Sequence, residues 1–346
     1  MNIGIITVYN SENCGSFLQA YALYRFLSDN GHQVSFYKRE TKGTTHDIMR
    51  VAADSAKLLF QLKFNLCYNR ICSYCSFSKV QKMLPVHSSF KDKDTIIIGS
   101  DTMWNFDDAY FWKMRSLYSG YYYSDKHTIT YAVSIANTQL ETLENESIIL
   151  EGIKSINSIS VRDDATYNAV KKITLKAPAK VLDPTLLIDS RNYEYLETKI
   201  PSGNYLLLYC FDKFDKEKVD AIIDFANKKN LSIVSFGSLL GWEDIYEPLN
   251  PSRFLSFFHK SKYVITDTFH GNAFSIIYKK NFASFGISKN KVKSLLESFG
   301  LSERMCINGS CIESVLSVPP SYDVVYTRLE KMRKESKRFL LTSIEV

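Results

Sequence analysis

No stretch of this chain approaches the roughly 18 uninterrupted apolar residues that a membrane-spanning helix needs, so the sequence predicts no bilayer crossing. No Gly-x-Gly-x-x-Gly follows the first strand-like run, and no Walker Gly-x4-Gly-Lys-Ser/Thr occurs anywhere. Without either glycine-rich phosphate cradle, dehydrogenase and P-loop ATPase readings fall away. Only 14 Gly and 8 Pro are present, too few for a collagenous or low-complexity chain. The 7 Cys are odd in number and scattered, which argues for reduced thiols rather than a disulfide framework. Cys72-Ser-Tyr-Cys75, with Cys67 upstream, has metal-like spacing, but no second Cys or His pair follows at zinc-finger distance, and no metal is expected. The excess of positive charge is small as well: 43 Lys and Arg against 37 Asp and Glu leave +6. That falls short of the clustered basic surface of a nucleic-acid binder, so nucleic acid is not expected as a partner, while a small anionic ligand suits the balance.

What is there is an ordinary soluble composition, 45% hydrophobic and 23% charged, over 346 residues. At roughly 100 to 200 residues per domain, that length predicts two domains. The first forty residues give a strand-like run from Ile3 to Val8, a Gly-containing loop from Ser11 to Gly15, then Ala20, Leu23, Tyr24 and Leu27 at helical spacing. Asn30-Gly31 closes that helix and Gln33 to Tyr37 reads as a second strand, the βαβ opening of a parallel sheet. Further apolar runs follow at Thr95 to Ile98, Thr128 to Ser134 and Ser158 to Val161. The polar stretch Asp189 to Asn204 marks a boundary, after which strands are predicted at Tyr205 to Tyr209, Leu231 to Phe236 and Tyr263 to Thr266. Helices are predicted from Lys216, from Pro251 and near His270. The expected architecture is therefore α/β, with two doubly wound Rossmann-like domains at residues 1–195 and 196–346 and an active site in the cleft between them. The charged helical tail, about Tyr322 to Leu341, is a candidate to pack back over the first domain. A strand-like run so soon after Met1, with no basic n-region or cleavage site, predicts a cytoplasmic protein.

Four strand-to-helix junctions carry the chemistry, because helix N-termini offer unpaired N–H groups and a positive dipole end to anions. The first, Asn13-Cys-Gly15-Ser16, places a Gly and a potential N-cap Ser before a helix; capping alone explains it equally well. In the second, Gly99-Ser100-Asp101-Thr-Met-Trp104-Asn105, a buried strand ends in polar groups and an indole, a set suited either to a sugar or to a capped turn over a core Trp. At the third, Ser160-Val-Arg162, a guanidinium leaves a strand end towards the predicted cleft, where it would meet a carboxylate or phosphate, or pair with Asp163, Asp164 or Asp183. The fourth, Thr266-Asp267-Thr268-Phe269-His270-Gly271-Asn272, sets a histidine at a helix start, and histidine is the usual general acid or base near neutrality.

Taken together and in order, these residues resemble the polysaccharide pyruvyl transferase family. The matching pieces are Asn13-Cys-Gly-Ser-Phe-Leu-Gln-Ala, Gly99-Ser-Asp-Thr-Met-Trp-Asn105, Tyr131-Ala-Val-Ser134, Ser160-Val-Arg162, Leu182-Asp-Pro-Thr-Leu186 and Thr266-Asp-Thr-Phe-His-Gly271, spread over about residues 2–286. The resemblance implies a fold like the GT-B glycosyltransferases. It also implies transfer of the enolpyruvyl unit of phosphoenolpyruvate onto two hydroxyls of a sugar in a surface polysaccharide precursor, giving a cyclic ketal and phosphate. It implies phosphoenolpyruvate as donor substrate, with no metal and no further cofactor. On that basis His270 and Asp101 are the expected catalytic pair. Arg162, Thr268, Phe269, Gly271 and Asn272 are expected on the donor side, and Gly15, Ser16, Ser100 and Trp104 on the acceptor side. Some members carry an Arg two residues before the motif His, where this chain has Thr268.

The acceptor saccharide leaves fewer traces. Lys57 to Ile71 places Phe60, Phe64, Tyr68 and Ile71 on one helical face beside Lys57, Lys63 and Arg70, a pattern suited to peripheral contact with the inner face of a membrane and a lipid-linked acceptor, or to packing against its own domain. Two other readings compete with pyruvyl transfer. One is a GT-B glycosyltransferase using a nucleotide sugar, and the other a non-catalytic saccharide-binding relative.

Overall fold

The computed structural model describes residues 1–38, 49, 51–57 and 64–345. Two five-stranded parallel sheets dominate it. The first comprises β1 (Asn2–Ile6), β2 (Gln33–Tyr37), β3 (Val86–His87), β4 (Thr95–Ile98) and β5 (His127–Thr130), in the order β3-β2-β1-β4-β5. A short pair, β6 (Ser160–Val161) and β7 (Ala179–Lys180), continues it through the bridges Ile129 to Ser158 and Val133 to Val161. The second sheet comprises β8 (Tyr205–Tyr209), β9 (Ser232–Phe236), β10 (Ile245–Glu247), β11 (Tyr263–Thr266) and β12 (Asn281–Ser284), in the corresponding order β10-β9-β8-β11-β12. Each sheet is thus doubly wound about its first strand, as the sequence predicts. Central strands of such sheets are covered on both faces and read as unbroken apolar runs; Ile96 to Ile98 and Leu206 to Leu208 are all fully buried.

The helices that matter for the site are α1 (Cys14–Asp29), α2 (Phe64–Gln81), α3 (Asp164–Thr174), α4 (Pro251–Lys260), α5 (Phe269–Ile277), α6 (Asn290–Phe299) and α7 (Tyr322–Ile344). The two halves share one hydrophobic cluster, which runs from Ile5 and Phe17 through Tyr193 to Phe254, Phe274 and Leu340. At its middle Tyr193 packs edge-on against Phe274, with centroids 5.3 Å apart. Helix α7 ties the halves together. Tyr326 donates to the Ile277 carbonyl at 2.8 Å, whereas further along Arg333 Nε donates to Leu186 O at 2.8 Å, Ser336 Oγ accepts from Leu182 N at 2.9 Å, and Ile344 O accepts from Thr95 Oγ1 at 3.2 Å. The tail therefore starts on the second half and ends beneath the first sheet.

Several local features differ from the sequence expectations. β1 stops at Ile6 rather than Val8, β12 and α6 were not anticipated, and α1 is capped by the Asn13 side chain, which accepts from Ser16 N at 3.1 Å, rather than by Ser16. Among the described residues no helix is long and apolar enough to cross a membrane. In the segment proposed for membrane contact, Phe60, Lys63 and the Phe64 side chain lie outside the described residues. Arg70 is paired with Glu12 and Asp54, while Tyr68 and Ile71 are exposed.

Candidate active site between the two sheets

Three strand ends of the first half converge on one guanidinium. Past β4 the chain turns at Asp101, whose φ of 75° is a left-handed conformation that Asp tolerates better than most residues. Past β6 it delivers Arg162, whose side chain is 1% exposed. Arg162 Nη2 donates to Asp101 Oδ1 at 3.0 Å and Nη1 to Asp183 Oδ2 at 2.8 Å. The other oxygens are used as well: Asp101 Oδ2 accepts from Ser16 Oγ at 2.8 Å, and Asp183 Oδ1 accepts from Thr185 N at 3.0 Å and Thr185 Oγ1 at 2.8 Å. Ser100 Oγ lies 3.3 Å from Asp183 Oδ2 and 3.2 Å from Ala132 O. One guanidinium thus sits between two carboxylates. A cation so compensated presents no net positive charge to a donor, and the pairing with Asp183 that the sequence left open is what the structure shows.

The second half contributes helix α5. Its N-cap is Thr268, whose hydroxyl accepts from Gly271 N at 2.8 Å, and Asn272 Nδ2 donates back to Thr268 O at 2.7 Å. Thr268, Gly271 and Asn272 therefore build the helix end. Phe269 and His270 face the other half: the Arg162 guanidinium carbon lies 4.5 Å from the Phe269 ring centroid, and His270 Nε2 lies 3.8 Å from Asp183 Oδ2. His270 is 9% exposed, and its Nε2 is enclosed without a hydrogen-bond partner. Against the imidazole lies the N-terminus of α1, so closely that a Cβ on Gly15 would stand 2.0 Å from His270 Nδ1. Only glycine leaves room for the ring there.

Electrostatics follow from this packing. Burial pushes the Asp101 carboxyl up, but Arg162, with help from His270, Lys291 and the Ser16 hydroxyl, outweighs it and holds the group well below the usual carboxylate range. For His270 burial wins over the attraction of Asp183 and Asp101, and the imidazole is held below 6.5, neutral at pH 7 in the free protein. Lys291, on the first turn of α6, was not foreseen. Burial lowers its pKa, and the repulsion of Arg162 adds to the effect against the attraction of Asp101.

Other predicted residues lie elsewhere. Trp104 is fully buried in the core of the first half and its indole N–H donates to Tyr118 O at 2.7 Å, so it is a core residue rather than a sugar platform. Asp267 accepts from Asp212 N at 2.8 Å and from Lys289 Nζ at 3.1 Å, which makes it an anchor for the loop before α6 and leaves it outside the Arg162 cluster. Among the described residues no group of three or more His, Cys, Asp or Glu is placed to hold a metal.

The Gly15 contact yields a prediction. Gly15→Ala inserts a methyl where the imidazole lies, and overpacking of this kind displaces neighbours. Since small misplacements at a reacting centre can cost a hundredfold in rate, turnover should fall by roughly ten- to a hundredfold, and the overpacking should cost about 1 to 3 kcal/mol of stability. Wild-type turnover in this variant would show that the His270 position is unimportant.

A pair of doubly wound sheets with charged and titratable groups meeting between them defines a GT-B fold, and solved structures agree. The UDP-GlcNAc 2-epimerase from Methanocaldococcus jannaschii matches with a TM-score of 0.56 at 9% identity, covering 92% of this chain and 92% of that one. The UDP-GlcNAc 2-epimerase from Neisseria meningitidis, bound to UDP-GlcNAc, matches with a TM-score of 0.51 at 10% identity, covering 99% of each chain. No curated protein sequence matches. The family model for polysaccharide pyruvyl transferases matches residues 13–289, about four fifths of the sequence and all four junctions singled out in the sequence. The chain belongs to the polysaccharide pyruvyl transferase family.

Proposed function

We propose that the protein transfers the enolpyruvyl unit of phosphoenolpyruvate onto two hydroxyls of a saccharide, forming a pyruvate ketal and releasing phosphate. The observation that carries this reading is the meeting of His270, from the second half, with the Asp101–Arg162–Asp183 cluster of the first. Ketal formation needs a proton delivered to the methylene carbon of the donor, which becomes the methyl group, while the adjacent carbon turns electrophilic and accepts a sugar hydroxyl. The second hydroxyl then replaces the phosphate on the same carbon. Two hydroxyl protons are lost in all; one balances the proton given to carbon, and the other leaves with the phosphate.

In this scheme His270 is the acid. It is neutral at rest and becomes protonated when the negative charge of the donor arrives, with Asp183 and Asp101 stabilising the imidazolium. Asp101, ionised before the reaction, is the acceptor for a hydroxyl proton and shares the Ser16 hydroxyl. Arg162 fixes both carboxylates rather than gripping the donor. The acceptor saccharide is assigned to the first half, beside Gly15, Ser16 and Ser100.

Incubating the protein with phosphoenolpyruvate and a panel of methyl glycosides should release phosphate and produce a new ketal methyl resonance by NMR. Consumption of a nucleotide sugar in parallel incubations, with no phosphate released from phosphoenolpyruvate, would replace this reading by glycosyl chemistry.

A further inference from the structure

An anionic donor needs a cation that is not already neutralised. Arg162 lies between two carboxylates, and Lys289, the next cation along, is paired with Asp212 at 2.8 Å and Asp267 at 3.1 Å. Lys291 is different. It is partly buried, has no hydrogen bond or ion pair with any described residue, and acts electrostatically on Asp101, Arg162 and His270 together. Its place is fixed from two directions. The Lys289–Asp267 pair anchors the loop before α6 to the residue three before His270, and Ser294 Oγ on α6 donates to Asp164 Oδ2 at 2.8 Å, across to the helix that follows Arg162. α6 packs against both α5 and α3, and a Cβ on Gly286 would stand 2.9 Å from both Asp267 O and Val292 Cγ1, which sets the first turn of α6 against the segment that leads into His270. The second observation is His270 Nε2, enclosed and without a hydrogen bond, with Asp183 Oδ2 3.8 Å away.

We propose that Lys291 is the cation that binds the phosphate ester of the donor, with the ammonium and the His270 imidazole on either side of one anion. The inference rests on the proposed pyruvyl transfer for the identity of the donor, though not for its charge. Burying an ammonium without a counter-charge is unfavourable, and a bound phosphate removes that cost. The proposal also accounts for Thr268: this chain keeps a helix cap at that position, and the positive charge comes from the next helix along.

Calorimetric titration of the full chain, with phosphoenolpyruvate, inorganic phosphate and UDP-GlcNAc as separate probes, tests it in wild type, Lys291→Met and Lys291→Arg. Loss of a charge-assisted contact should weaken phosphoenolpyruvate binding by roughly 10- to 100-fold in Lys291→Met, with part of the loss recovered in Lys291→Arg. NMR titration of His270 provides a second readout: with the Lys291 charge gone and Asp183, Asp101 and Arg162 in place, the imidazole should titrate at higher pH than in wild type. Equal phosphoenolpyruvate affinity in wild type and Lys291→Met overturns the role of Lys291 and leaves pyruvyl transfer standing. Binding of UDP-GlcNAc but not phosphoenolpyruvate, lost in Lys291→Met, overturns pyruvyl transfer and keeps Lys291 as the anion site. Failure of wild type to bind any of the three probes overturns the proposal.

Discussion

Replacing His270 by Gln should reduce phosphate release from phosphoenolpyruvate by roughly 10²- to 10⁴-fold, the range in which a positioned general acid contributes. Glutamine keeps most of the volume and one N–H but carries no transferable proton, so the loss should appear in kcat with a modest change in donor KM. The pH dependence gives the sharper test. In the free protein burial holds the imidazole below 6.5, and in the proposed scheme the reactive form is the protonated one. kcat/KM should therefore fall as pH rises through that lowered value. With the donor bound its negative charge raises the imidazole pKa, so kcat should persist to higher pH before falling. Both limbs should vanish in His270→Gln. If the same limbs survive in the variant, they belong to the donor phosphate, and near wild-type turnover would remove His270 from the chemistry altogether.

Much of this arrangement is legible in the sequence wherever a local pattern has a single physical solution. Thr95 to Ile98 and Tyr205 to Tyr209 are short, mostly apolar runs that each follow a polar residue, Asp94 and Asn204, and each is an inner parallel strand. Pro251 to Lys260 starts with a capping Asn250 and a proline at the first position, and the helix runs over those residues. What stayed hidden is what depends on three-dimensional convergence. β12 is four residues with polar ends, too brief to announce itself, so the fifth strand-to-helix junction, and with it Lys291, was passed over. The rule that found His270 would have found it: a cationic loop, Lys289-Asn-Lys291, stands at the start of α6. Trp104 misleads in the opposite direction, since a polar strand end that looks ready for a sugar needs its indole to close the core beneath it. Asp183 has a complete local explanation as the cap of the Pro184–Leu186 turn; the sequence offers it as one of three partners for Arg162, but nothing in its neighbourhood along the chain shows that the same oxygen faces His270.

That double duty makes Arg162 the residue whose loss should most damage the fold. Arg162→Met leaves the Asp101 and Asp183 carboxylates, 12% and 0% exposed, without their cation, and breaking a buried pair in this way typically costs about 3 to 5 kcal/mol. Chemical denaturation at pH 7 should show a loss of that size, and lysine should recover only part of it, because one ammonium cannot span two carboxylates as the planar fork does. Acid distinguishes the mechanism from simple packing damage. In wild type the Asp101 pKa is depressed, so its contribution is complete above the ordinary carboxylate value of 3.8 and is lost as pH falls below it. In the variant burial, which raises the pKa, is opposed only by His270, Lys291 and the Ser16 hydroxyl, so the carboxyl takes up its proton at a higher pH than in wild type and the cost of the stranded charge falls with pH. The gap between the two proteins should therefore narrow from the variant's side between pH 7 and about pH 4. A loss below about 1 kcal/mol, or one that stays constant over that range, would mean that the charges are not coupled as their geometry requires, and the cluster that orients His270 would lose its physical basis.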